Sequence, residues 1–137
     1  MSGESDHRQL TKMMAPQLLP ETYVYCTFPD FQVPDGLAPI CTFREAEGLT
    51  AIVERSQAER AQAPFIFESR LITLSVHSSL NAIGFLATIS TCLAQAGIPC
   101  NAVAAYHHDH LFIPVGRAQE ALALLQALSA DSTPAAL

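Results

Sequence analysis

The sequence predicts an α+β protein of two ferredoxin-like halves, with antiparallel sheets and helices on one face. In the second half, an alternating strand pattern is followed by a helical pattern, a hairpin and another helical pattern. The first half also contains a hairpin followed by a helix. Of the 137 residues, 50% are hydrophobic and 15% are charged, which excludes disorder and favours an extensive buried interface. We divide the chain into residues 1–64 and 65–137.

The first half begins with a short helix that Asp6 caps and Pro16 limits. A proline-rich loop is expected next, before the first strand. The remaining predicted elements are a strand at residues 22–28, a hairpin over 39–54, a helix from Ser56 to about Ala63 and a strand at 65–67.

The second half opens with a strand predicted over residues 70–77. Its apolar residues Ile72, Leu74 and Val76 share one side, and the residues between them lie on the other side. A helix is predicted to follow it and to end at Gly97. Its candidate N-cap residues are Ser78, Ser79 and Asn81, and its apolar stripe is Ile83, Leu86, Ile89 and Leu93.

A hairpin and a last helix complete the second half. The hairpin strands are predicted at residues 100–106 and 110–115, and the helix starts near Gly116. No strand follows this helix, so a complete ferredoxin-like unit lacks one edge strand. The first half supplies that strand, or the two halves pair their sheets.

Charge and hydropathy exclude several classes of partner. The net charge is −6, and the seven Lys and Arg residues form no basic stripe, which argues against nucleic acid. The longest apolar stretch, residues 80–97, is short and interrupted by polar residues, so no membrane span is predicted. A cytoplasmic location is expected, because the N-terminus does not read as a signal peptide. The four widely spaced cysteines are then reduced core residues.

The edge where the strand meets the following helix is the candidate binding site. The end of this strand at His77 and the hairpin tip at Asp109 fall on one sheet edge. Backbone N–H groups at residues 80–83 and the helix dipole favour a carboxylate there, while Asp109 suits an ammonium group. An amino acid carries both charges. The alternative is that Ser79 or Asn81 only caps the helix.

The histidines allow other interpretations. His107, His108 and His110, with His77 on the same edge, resemble ligands of a transition metal. A solvated turn is the interpretation that such residues favour most, followed by hydrogen-bonding rim residues and then by metal ligands. We assign no metal and no cofactor. Without a nucleophile elbow, a P-loop or a dinucleotide fingerprint, no catalytic residue is predicted and the protein is not expected to be an enzyme.

Four features of the sequence are distinctive in combination, namely LITLSVHSSL at residues 71–80, Gly84, YHHDHLFIP at 106–114 and TFREAEGLT at 42–50. Together they resemble a family of stand-alone bacterial proteins with tandem ACT-like domains. The resemblance implies ferredoxin-like regulatory modules, related to those of aspartokinases, that bind amino acids. It places the ligand loop at residues 77–84, where Ala82 and Ile83 precede the glycine instead of the usual proline.

We therefore predict a non-catalytic regulatory module that forms a homodimer and binds a small amino acid. The alternatives are a protein-interaction module that regulates another enzyme without a small ligand, and a His-rich metal-binding protein. The predicted ligand-binding residues are His77, Ser78, Ser79, Leu80, Asn81, Ile83, Gly84, Asp109 and His110.

Overall fold

A computed structural model describes residues 3–131. The helices are α1 (His7–Met13), α2 (Arg55–Arg60), α3 (Phe85–Gln95) and α4 (Ala118–Asp131), the last preceded by a 3-10 turn, Val115–Arg117. The strands are β1 (Pro16–Phe28), β2 (Cys41–Glu45), β3 (Gly48–Glu54), β4 (Ile66–Leu74), β5 (Asn101–Ala104) and β6 (Asp109–Pro114).

All strands belong to one six-stranded sheet in the order β2-β3-β1-β4-β6-β5. Every pair is antiparallel. The 13-residue strand β1 pairs with β3 on one side and β4 on the other. It therefore occupies the position beside β4 where the second half lacks an edge strand. The two arrangements expected from the sequence occur together. The first half supplies the missing edge strand, and this strand also joins the sheets of the two halves.

The helices cover one face of this sheet, which we call the helix face. Leu18 pairs with Ile72 and Thr22 with Arg70, so the even-numbered residues of β1 and those of β4 from Arg70 to Leu74 point to the same side. Ile72 packs in a core with α1, α3 and α4, and the even-numbered Val24 packs in a core with α2. The predicted α+β architecture with helices on one face is confirmed. We call the opposite side of the sheet the open face.

Helix α1 packs against the second half of the chain. Leu10 and Met14 lie in the same buried cluster as Ile89 of α3 and Leu125 of α4. The Asp6 side chain accepts a hydrogen bond from the Arg8 N–H at 3.0 Å, which confirms the predicted cap. The division at residues 64 and 65 stays a prediction, and α1 and the shared sheet connect the two parts.

Three predicted elements have different bounds in the structure. The expected loop after Pro16 is part of β1, whose pairing with β4 shifts between Leu18 and Thr22 and so accommodates Pro20. The two strands predicted at residues 65–67 and 70–77 form the single strand β4, which ends at Leu74. A further register shift, near Phe67 with its φ of 61°, interrupts the alternation that the sequence shows.

Helix α3 begins later than predicted. It starts at Phe85, after Gly84 with a φ of 91°, instead of near Ser79. Ser79 closes a local turn, since its Oγ accepts a hydrogen bond from the Asn81 N–H at 3.0 Å. Serine is favourable in both a turn and a helix cap, so its presence alone did not locate the helix start.

Replacing Leu10 with alanine should lower the free energy of unfolding by about 2–5 kcal/mol, because a fully buried leucine leaves a cavity. Met13→Ala on the same helix is the control, since its side chain is 54% exposed and the change should stay within about 0.5 kcal/mol. Chemical denaturation measures both. Equal effects would contradict the packing of α1 in the shared core.

Candidate functional site

The segment between β4 and α3 is held in place by the N-terminal residues. Glu4 and Ser78 form a parallel bridge. The Glu4 N–H donates to the His77 carbonyl at 3.0 Å, and the Ser79 N–H donates to the Glu4 carbonyl at 2.7 Å. Gly3 fits here because a Cβ would lie 2.6 Å from the His77 oxygen, and its φ is +81°. The N-terminal segment therefore holds this loop through backbone hydrogen bonds at both His77 and Ser79.

A cavity of about 130 Å³ lies where this loop meets the start of α3 and the β5–β6 hairpin. It is lined by Ser78, Ser79, Leu80, Ala82, Gly84, Phe85, Leu86, Ala87, Ala104 and Asp109. The cavity thus combines two serines and one carboxylate with mainly apolar walls. We call it the loop cavity.

Asp109 supplies the negative charge of the loop cavity. It pairs with Leu74 across the β4–β6 ladder, so its side chain points to the helix face. Only 5% of the residue is exposed. The Ser78 hydroxyl donates to Asp109 Oδ2 at 2.9 Å, which orients the carboxylate. A buried carboxylate that lines a cavity is a strong acceptor for an ammonium group.

The start of α3 supplies hydrogen-bond donors on the same cavity. The Gly84 cap has no side-chain acceptor, and the Thr88 N–H donates to the Gly84 carbonyl at 3.0 Å. The N–H groups of Phe85, Leu86 and Ala87 therefore have no acceptor within the helix. All three residues line the loop cavity. Together with the helix dipole, they favour a bound anion.

The structure brings together five of the nine predicted ligand-binding residues. Ser78, Ser79, Leu80, Gly84 and Asp109 line the loop cavity. His77, Asn81, Ile83 and His110 do not line it.

The four residues outside the loop cavity have other surroundings. The Ile83 side chain is 85% exposed, and the Asn81 N–H closes the turn at Ser79. His77 lies against Gly3 and stacks near His107. His110 points to the open face and lies with its Nδ1 atom 3.0 Å from Thr73 Oγ1. Strand alternation separates it from Asp109, since successive side chains in a strand point to opposite faces.

The lining residues that sequence reasoning missed are Ala82, Phe85, Leu86, Ala87 and Ala104. The first three residues of α3 were missed because the helix was placed too early. Gly84 was the available signal, since glycine readily takes the positive φ found just before the helix.

The clustered histidines contact one another and the backbone. The ring centroid of His107 lies 5.4 Å from that of His77 and 6.2 Å from that of His108. His108 Nδ1 is 3.3 Å from the Val76 carbonyl oxygen. Within residues 3–131, no group of three or more His, Cys, Asp or Glu side chains is arranged to hold a metal ion. The metal-binding alternative therefore has no ligand set in this part of the chain.

The thiols of Cys26, Cys92 and Cys100 are not activated as nucleophiles. All four cysteines are free, and burial raises the pKa of Cys26, Cys92 and Cys100. A raised pKa keeps a thiol protonated at neutral pH. These three residues therefore have the character of structural cysteines.

Two profiles of the ACT domain match this chain, one over residues 2–70 and the other over residues 66–127. The chain belongs to the ACT-domain family. It is a tandem ACT-domain protein, as the sequence resemblance predicted. ACT domains are regulatory modules that often bind amino acids, which agrees with a non-catalytic role.

Solved structures show the same architecture. A Vibrio cholerae protein of unknown function, described as a possible transport protein, is 40% identical with a TM-score of 0.79, covering 89% of this chain and 94% of its own. An Agrobacterium tumefaciens protein is 14% identical with a TM-score of 0.69 and coverages of 83% and 87%. The ligand-free regulatory subunit of aspartate kinase from Thermus thermophilus is 12% identical with a TM-score of 0.63 and coverages of 82% and 95%. The last two similarities establish the fold alone.

No curated protein matches this tandem ACT-domain sequence. Among the helices of residues 3–131, none has the length and apolar character needed to cross a membrane.

His110 should titrate below the ordinary histidine value of 6.5. Burial lowers its pKa most, the charge of His108 lowers it further, and Asp109 opposes both. Between the folded and the unfolded pKa, the unfolded chain binds a proton at His110 that the folded protein does not bind. The contribution of His110 to stability is therefore fully present above about pH 6.5. It is lost as the pH falls through the folded pKa. We expect His110→Phe to flatten the dependence of unfolding free energy on pH in that window. An NMR titration of the imidazole giving a value above 6.5 would contradict this prediction.

Proposed function

We propose that this tandem ACT-domain protein reversibly binds a small α-amino acid in the loop cavity. The observation that carries the proposal is the pairing of opposite electrostatic environments across one small space. The N–H groups at the start of α3 suit the ligand carboxylate, and Asp109 suits its ammonium group. Ser78 holds the Asp109 carboxylate at 2.9 Å.

The size and walls of the loop cavity restrict the side chain of the ligand. The volume of about 130 Å³ corresponds to the share of about four water molecules in the liquid. Leu80, Phe85 and Leu86 make the walls apolar, and Asp109 is the sole charged side chain among the lining residues. A charged ligand side chain would have no partner there. Small uncharged amino acids, such as alanine, serine or valine, fit best.

Ligand binding should influence how the protein associates. Leu80 and Ile83 are 65% and 85% exposed and lie close together in the chain beside the loop cavity, where they offer apolar surface to a partner. We propose that a second copy covers them in a homodimer. Such an interface would connect the occupied cavity with a regulatory response, and micromolar to millimolar affinity would keep the response reversible.

Thermal unfolding with each of the twenty amino acids tests ligand binding. A ligand at one hundred times its dissociation constant should add about 2.7 kcal/mol of stability. The small uncharged amino acids should raise the unfolding midpoint of the wild type. Asp109→Asn should abolish the increase, because the amide cannot pair with an ammonium charge, whereas Asp35→Asn in an exposed loop should retain it. If no amino acid stabilises the wild type, the proposal fails and regulation through a protein partner becomes the leading alternative.

Light scattering after size exclusion tests the dimer. Ile83→Asp should shift the protein towards the monomer, since burying an unpaired carboxylate is costly. Ile66→Asp is the matched control, because Ile66 is also exposed, at 73%, but lies at the start of β4. A wild-type monomer, or equal effects of the two variants, would overturn the proposed interface.

A further inference from the structure

The open face of the sheet contains a second cavity, which we call the open-face cavity. Ile40 and Cys41 at the β2 edge and Val103 on β5 all line it. In a flat sheet these edge strands would lie roughly 24 Å apart, at about 4.8 Å for each strand spacing. The sheet is therefore strongly curled, and its two edges enclose a space that neither half of the chain forms alone.

The walls of the open-face cavity are almost entirely apolar. Its volume is about 210 Å³. The lining residues are Ile40, Cys41, Leu71, Val103, Ala105, His110 and Phe112. None of the lining side chains is an acid, a lysine or an arginine, so a charged ligand would lose its hydration without gaining a partner.

The floor of the open-face cavity is rigid. Leu71 and Phe112 are each 2% exposed. The Phe112 ring makes edge-to-face contacts with Tyr23 at 6.0 Å and Tyr25 at 5.9 Å between centroids. Burial is the main reason that the pKa of Tyr25 rises to about 12, so its phenol stays neutral. Burial and edge-to-face packing restrain these rings, so the floor of the cavity is part of the packed core.

His110 gives this apolar cavity its one oriented polar group. Its Nδ1 atom lies 3.0 Å from Thr73 Oγ1, which fixes the ring and leaves Nε2 for another hydrogen bond. Burial lowers the pKa of His110, so the imidazole is neutral at pH 7. A neutral imidazole nitrogen matches a neutral ligand that carries one hydroxyl or N–H group.

We infer that the open-face cavity is a second ligand site, for a small neutral aromatic molecule with one hydrogen-bonding group directed at His110. An apolar protein cavity of about 150 Å³ can hold benzene, so about 210 Å³ accommodates a single ring with a small substituent. Asp109 and His110, adjacent on β6, serve opposite faces of the sheet. This site is therefore separate from the loop cavity and does not depend on the proposed amino-acid binding.

Phenol, toluene and benzoate are probes for this site, with binding to the full chain followed by calorimetry and NMR. Phenol should bind the wild type about 2- to 10-fold more tightly than toluene, which corresponds to one net hydrogen bond. Benzoate should bind at least about 10-fold more weakly than phenol, because its charge has no partner. In His110→Phe the preference for phenol over toluene should disappear.

Filling the cavity provides the positional test. Val103→Trp should abolish phenol binding, whereas Ala102→Trp, on the other face of the same edge strand, should retain it. Ala105→Met is a milder filler and should weaken binding if the tryptophan variant does not fold. Loss of phenol binding in Val103→Trp, with stabilisation by amino acids retained, separates this inference from the proposed amino-acid site.

Three results would overturn the inference. The first is a wild type that binds no phenol. The second is equal phenol affinity in Val103→Trp and Ala102→Trp. The third is a change of oligomeric state in Val103→Trp, which would identify the open face as an interface between copies of the chain.

Discussion

The antiparallel pairing of β1 with β4 is the interaction on which the rest of the structure depends. It joins the strands of both ACT domains into one sheet and fills the position where the second domain lacks an edge strand. An unpaired β4 edge would expose a row of backbone donors and acceptors. The same pairing lets the helices of both halves share one face, and it allows α1 to bury Leu10 and Met14 against α3 and α4.

The loop cavity exists because three parts of the chain meet at the end of β4. The N-terminal segment holds the loop through Glu4, the first residues of α3, whose N–H groups have no acceptor within the helix, line the cavity, and β6 supplies Asp109. Each part contributes a different property, namely position, positive potential and negative charge. Helix α1, which packs in the shared helical core, follows the N-terminal segment directly.

Strand alternation divides the chemistry of β6 between two environments. Asp109 faces the helices beside Ser78, and His110 faces the open side beside Thr73. One residue step therefore separates the charged cavity proposed to bind an amino acid from the apolar cavity proposed to bind a neutral ring. The curl of the sheet gives the second cavity its walls, since it brings Ile40 near Val103 from opposite edges.

The sequence by itself determined the α+β class, the ACT-domain resemblance, the hairpins and the region around residues 77–84 and 109, because these depend on local periodicity and short motifs. It did not determine where α3 starts, since Ser79 favours a turn as readily as a helix cap. Only the tertiary structure placed β1 between the two halves and curled the sheet around the open-face cavity. Those features depend on the pairing of residues far apart in the chain, such as Leu18 with Ile72, which no local pattern specifies.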